Sequence, residues 1–98
     1  MVYSFQEDSE DKIMNIYEKQ FVVECPSDGD VIIYNLTIEK KNMIYVEHIN
    51  TAVSLIKSDY HENIADSLHS LFGGLQKLEA THRGIQITTI RDEVKETT

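Results

Sequence analysis

A single thiol and a few carboxylates set beside histidines are the groups in this chain whose types and spacing could do chemistry. Cys25 ends the strand-like run Phe21-Val22-Val23-Glu24-Cys25 and precedes Pro26-Ser27-Asp28-Gly29-Asp30, a stretch dense in turn formers. A thiol there either fills the core, as free cysteines commonly do, or faces a cleft where its thiolate can attack an electrophile. Glu62, in Tyr60-His61-Glu62-Asn63, falls in the first turn of a helical stretch. Its carboxylate either completes a helix cap or points outwards as a bidentate acceptor for a guanine-type edge bearing adjacent N–H and NH2 donors. Glu47-His48 and Glu79-Ala80-Thr81-His82-Arg83-Gly84 stand at junctions between elements, where solvated turns are the commoner reading. The four histidines and Cys25 show no pair with the close spacing of a zinc finger, so no metal is expected.

These groups need elements to position them. Val31 to Ile38 alternates, with Ile32, Tyr34, Leu36 and Ile38 on one face and Asn35 and Thr37 on the other, which predicts a half-buried antiparallel strand paired with the run from Gln20 to Cys25. Ile49, Ala52, Val53 and Ile56 recur at helical spacing and predict a first helix over Ile49 to Lys57. Ser58 or Asp59 can cap a second helix whose apolar stripe is Ile64, Ala65, Leu68, Leu71 and Phe72, with Gly73-Gly74 ending it. Strands follow over Leu75 to Thr81 and Gly84 to Arg91. The order strand, strand, helix, helix, strand, strand predicts an α+β fold, an antiparallel sheet with both helices on one face. Residues 1–19 read as an acidic N-terminal arm, 20–91 as the folded domain and 92–98 as a solvated tail.

Ninety-eight residues suit one domain, and a chain this short leaves apolar surface bare unless a partner covers it. A net charge of −8 excludes a phosphate-tracking basic surface, so no direct binding of long nucleic acid is expected. One cysteine and no run of 18 apolar residues point to a reducing cytoplasmic setting without a membrane span.

Four pieces, in order, resemble the 7-cyano-7-deazaguanine reductases and their relatives in the tunnelling-fold (T-fold) superfamily. They are Glu24-Cys25-Pro26 with Gly29, Val46-Glu47, Tyr60-His61-Glu62, and His82-Arg83-Gly84-Ile85. Glu79-Ala80-Thr81-His82 is also similar to a phrase of GTP cyclohydrolase I. The resemblance implies ββααββ subunits that close into an oligomeric barrel, with sites between subunits for a purine- or pterin-like ring. It implies Cys25 as nucleophile, Glu62 as the ring anchor, His61 as its proton-transfer neighbour and Glu47 as a second ring-contacting acid. A thiolate attacking a nitrile carbon gives a thioimide, and an acid must protonate the nitrile nitrogen. In the ungapped alignment Ile32 occupies the position of the reductases' acid, leaving Asp28 or Asp30 as its substitute. No lysine lies between Glu47 and Lys57, where the reductases carry their lysine-rich cofactor motif, so neither NADPH nor another cofactor is expected. The zinc set of GTP cyclohydrolase I is incomplete, with Asp28 at its histidine position and its second cysteine missing. Three readings follow: a thioimide-forming enzyme of reductase or amidinotransferase type, a non-catalytic ring-binding module, and a cyclohydrolase-like enzyme.

Overall fold

The computed structural model describes residues 13–92, so the arm and tail readings for 1–12 and 93–98 lie outside the described residues. Strands β1 (Asn15–Glu24), β2 (Val31–Lys40), β3 (Leu75–His82) and β4 (Ile85–Arg91) form one antiparallel sheet in the order β1-β2-β3-β4. Helices α1 (Val46–Ser54) and α2 (His61–Phe72) lie between β2 and β3 in sequence. The fold is thus α+β with ββααββ order, and among the described residues β1 and β4 are the edges of an open sheet.

Alternation along β2 sets the sheet's two faces. Ile32, Tyr34, Leu36 and Ile38 are buried, while Val31, Ile33 and Asn35 are exposed. The register carries this division to the neighbours, opposing Phe21 to Tyr34 on one side and Ala80 to Tyr34 on the other. Ile49 and Val53 of α1 and Ile64, Ala65 and Leu68 of α2 join the same core, so both helices cover one face. Fully burying a side chain such as Ile64 or Leu68 contributes about 1.5–3 kcal/mol.

Three boundaries differ from the sequence expectation. β1 opens at Asn15, inside the stretch read as an arm, because an edge strand whose outer face carries Glu18 and Gln20 shows little apolar patterning. α1 spans Val46–Ser54 rather than Ile49 to Lys57. Its cap residue Tyr45 makes no side-chain capping bond and is not a usual cap residue, so the start carries no cap signal. Its end tightens through bonds from Leu55 N to Ala52 O and from Ile56 N to Val53 O. The cap of α2 is Tyr60, neither Ser58 nor Asp59, and Asp59 Oδ1 instead accepts from Tyr60 N at 2.8 Å and from Asn63 Nδ2 at 3.1 Å.

The turn from α2 into β3 fixes where β3 begins. Lys40 Nζ donates to the Phe72 carbonyl at 2.6 Å, and Gln76 Nε2 donates to the carbonyls of Leu68 and Gly73. Gly74 has φ +74°, and a Cβ there would meet the Glu39 carbonyl oxygen at 2.7 Å. Only glycine satisfies both conditions.

Candidate functional site

Three chain segments converge at one end of the sheet. The first is the end of β1 with its turn. Cys25 N donates to Asp30 O at 2.8 Å, Gly29 N to Cys25 O at 2.9 Å, and Asp30 N to Asp28 Oδ1 at 2.9 Å. These bonds wrap the turn back on Cys25, with Gly29 at φ 77° permitting the reversal.

The second segment links α1 to α2. Glu24 N donates to Lys57 O and Asp59 N to Glu24 O, at 3.0 and 3.2 Å, so the link runs as a short parallel bridge beside the end of β1. This brings Asp59, Tyr60 and His61 next to Cys25. The third segment is the tip of the β3–β4 hairpin, where Arg83 and Gly84 both have positive φ, as a two-residue hairpin turn of the type I′ class requires.

The cleft between them has a volume of about 210 Å³ and is lined by Cys25, Tyr34, Asp59, His61, His82 and Ile87 among others. That is room for a small heterocycle rather than a drug-sized ligand. A larger groove of about 680 Å³ runs between the free edge of β1 and α1, past Lys19, Val23, Asn50 and Lys57. It lacks the thiol and the histidines, and its open shape along an edge strand is one that a further strand fills.

Cys25 is 7% exposed, so the thiol is packed into the wall of the cleft. One ligand atom from each of Cys25, Asp28 and His82 lies within 4.8 Å of the others. The Asp28 carboxyl is held below the usual carboxylate range, chiefly by the Asp30 backbone N–H. Desolvation opposes this, whereas the Cys25 thiol and the charges of Arg83 and His82 reinforce it. Arg83 reaches Asp28 Oδ2 through Nη2 and Asp30 Oδ2 through Nε, both at 3.2 Å. His82 Nε2 is 3.2 Å from Asp28 Oδ2 and 3.6 Å from Asp30 Oδ2, yet it is buried without a hydrogen-bond partner among the described residues. The short distance is therefore an electrostatic approach rather than an aligned bond, since at this separation only the direction of a ring N–H can fail.

His61 Nε2 stands 3.1 Å from the Leu78 carbonyl oxygen, which can only accept, so Nε2 carries the proton. The other ring nitrogen, Nδ1, is then a bare acceptor, buried and without a partner among the described residues. Desolvation lowers the His61 pKa against the raising effects of the Leu78 carbonyl and Glu62, and favours the neutral ring. Tyr34, whose ring lies 5.3 Å from that of His61, has its pKa raised, first by burial and then by Cys25 and Asp59, which keeps its hydroxyl protonated.

The structure thus lines one cleft with Cys25 and His61 and sets Asp28 beside the thiol, with Arg83 joining Asp28 to Asp30. It does not bring Glu62 or Glu47 there. Glu62 faces outwards, its side chain 81% exposed and its Oε1 3.8 Å from Arg91 Nη2. No bond from its carboxylate caps α2, so the capping alternative is not realised. Glu47 is exposed in the first turn of α1. His82 is the member that sequence reasoning left among turn residues, because only the sheet order carries the β3–β4 tip across to the β1–β2 turn. No helix among the described residues is long and apolar enough to cross a membrane.

The chain matches no family model, no curated protein and no solved structure.

Proposed function

We propose that this chain is a T-fold enzyme that binds a 7-deazaguanine nitrile, 7-cyano-7-deazaguanine, and adds the Cys25 thiol to it. The observation that carries the reading is Asp28, which stands beside the thiol where the ungapped alignment offers only Ile32. In the addition the S–C bond forms, one π bond of the nitrile breaks, and the thiol proton passes by way of Asp28 to the nitrile nitrogen. The product is a thioimide. Ammonia then displaces the thiol to give an amidine, as in the reductase-like amidinotransferases, a route favoured over hydride transfer because no lysine lies between Glu47 and Lys57.

His61 Nδ1 accepts a ring N–H in the cleft, and the neutral ring keeps that lone pair available. Glu62 anchors the guanine edge from a second subunit, which explains why it faces away from the cleft of its own protomer. Closure of copies through the free edges of β1 and β4 buries the groove beside β1 and forms the barrel. A reducing cytoplasm keeps the lone thiol free.

Calorimetry separates docking from chemistry. Cys25→Ala is expected to bind nitrile-free 7-deazaguanine as the unaltered protein does, while losing the time-dependent, dilution-resistant retention of the nitrile base. Equal retention by the variant would contradict a bond at Cys25.

A further inference from the structure

We propose that the tip of the β3–β4 hairpin, residues 81–86, is a hinged lid over the Cys25 cleft, latched by Arg83 to Asp28 and Asp30. Two of the three cleft walls are tied by backbone hydrogen bonds. The turn after β1 closes on itself through Cys25 N to Asp30 O and Gly29 N to Cys25 O, and the link between the helices is bound to β1 through Glu24 N to Lys57 O and Asp59 N to Glu24 O. The third wall is held differently. Pairing between β2 and β3 ends at Tyr34 and Ala80, although β2 begins at Val31 and β3 goes on pairing with β4 as far as His82 and Ile85. The hairpin therefore leaves β2 after Ala80 as a two-stranded ribbon. The cleft of about 210 Å³ lies on one side of it, and a recess of about 380 Å³, lined by Val31, Ile33, Thr81 and Gln86 among others, lies on the other.

Among the described residues no backbone hydrogen bond joins the tip to the turn, and side-chain charges do so instead. Arg83 Nε donates to Asp30 Oδ2 at 3.2 Å and Nη2 reaches Asp28 Oδ2 at the same distance, with His82 Nε2 alongside. Arg83 does this from φ 54°, a left-handed conformation that a Cβ disfavours and that asparagine or glycine usually fills in such a turn. The bridge offsets that strain while it is made, and breaking it frees the tip from the turn. His82, on the cleft side of the ribbon, then moves out with it, and the wall that packs Cys25 opens. The Arg83 and Asp30 side chains are 62% and 46% exposed, and pairs of this kind shift an equilibrium by at most about fivefold each. The latch is thus weak enough to open and close during binding, and salt loosens it. The lid governs access to Cys25 whichever electrophile the thiol meets, so it does not rest on the thioimide reading.

Alkylation of Cys25 in the full chain by iodoacetamide, a small neutral electrophile, tests the lid at constant pH, with free cysteine as the reference for the reagent. The rate is expected to rise about three- to tenfold between about 20 mM and 1 M sodium chloride. Arg83→Gln, and separately Asp30→Asn, should react at the faster rate already at low salt and lose most of the salt response. For Arg83→Gln the sign is diagnostic, because removing a cation from beside a thiol makes it less nucleophilic by direct electrostatics, not more. Amide exchange at Leu36 and Ile38 should stay as slow as in the unaltered protein, which separates opening of the tip from unfolding of the core. A salt-independent rate in the unaltered protein, or a folded Arg83→Gln that alkylates at the unaltered rate, would overturn the lid. Faster alkylation accompanied by fast exchange at Leu36 and Ile38 would do the same. Because no nitrile is present, each of these results leaves the thioimide reading to its own test.

Discussion

His82 Nε2 and Asp28 Oδ2 stand 3.2 Å apart and set the tip of the β3–β4 hairpin over the turn that carries Cys25. Asp28 is held by the Asp30 N–H at Oδ1 and by Arg83 at Oδ2, with His82 alongside. If Asp28 relays the thiol proton, Asp28→Asn should slow nitrile addition by about 10²–10⁴-fold, the usual worth of a general acid–base group. Ring binding should change little. A stopped-flow measurement of adduct formation checks this, and a rate within a factor of about three of the unaltered protein would remove Asp28 from the mechanism.

Glu62 and Cys25 do not share a cleft within one protomer, so the two should complement each other between subunits. Glu62→Gln is expected to weaken ring binding by at least about tenfold, the loss of one bond to a charged acceptor worth about 1.5 kcal/mol or more. Mixing Glu62→Gln with Cys25→Ala subunits and allowing exchange should restore some tight, covalent sites, because a fraction of interfaces then pair an intact Glu62 with an intact Cys25. Light scattering must show an oligomer at micromolar concentration. A monodisperse monomer, or no recovery after verified exchange, counts against sites between subunits.

Gly74 governs how the chain leaves α2 and enters β3, and hence where β3 delivers His82. Gly74→Ala combines a left-handed backbone with a Cβ 2.7 Å from the Glu39 carbonyl oxygen. A loss of about 2–3 kcal/mol is expected in denaturant unfolding. Gly29→Ala, which meets nothing within 4 Å, should lose only the strain of its φ, about 1 kcal/mol. Equal losses would mean that the clash at Gly74 relaxes freely.

His61 makes stability depend on pH with a definite sign. Its folded pKa lies below the ordinary 6.5 because burial disfavours the charged ring. The unfolded chain therefore takes up the proton first, so this contribution is full above pH 6.5 and is lost as pH falls through the folded value. Melting temperatures of the unaltered protein and His61→Gln, compared between about pH 8 and pH 5, should converge on acidification. Parallel curves would mean that His61 does not titrate in this sense. The groups facing it are the Leu78 carbonyl, Glu62, Arg91 and Tyr34.

The fold was more legible in the sequence than the site. Period-two burial in β2 and the stripe of Ile64, Ala65 and Leu68 in α2 follow from hydrophobic spacing alone, since solvent and core impose that spacing directly. The starts of β1 and α1 were not legible, because a polar edge face and a cap residue that makes no side-chain capping bond leave no pattern. In the site, the turn at Pro26 to Asp30 was readable, yet the choice between Asp28 and Asp30 depends on which carboxylate the turn folds towards the thiol. His82 was invisible as a partner of Cys25, because their proximity is set by strand order and not by spacing in the chain.

The bond at Cys25 is tested most directly by the intact mass of the protein after incubation with 7-cyano-7-deazaguanine. One added ligand mass per chain is expected, mapped to the peptide bearing Cys25 and absent in Cys25→Ala. An unchanged mass in the unaltered protein, or the same adduct in Cys25→Ala, would contradict it.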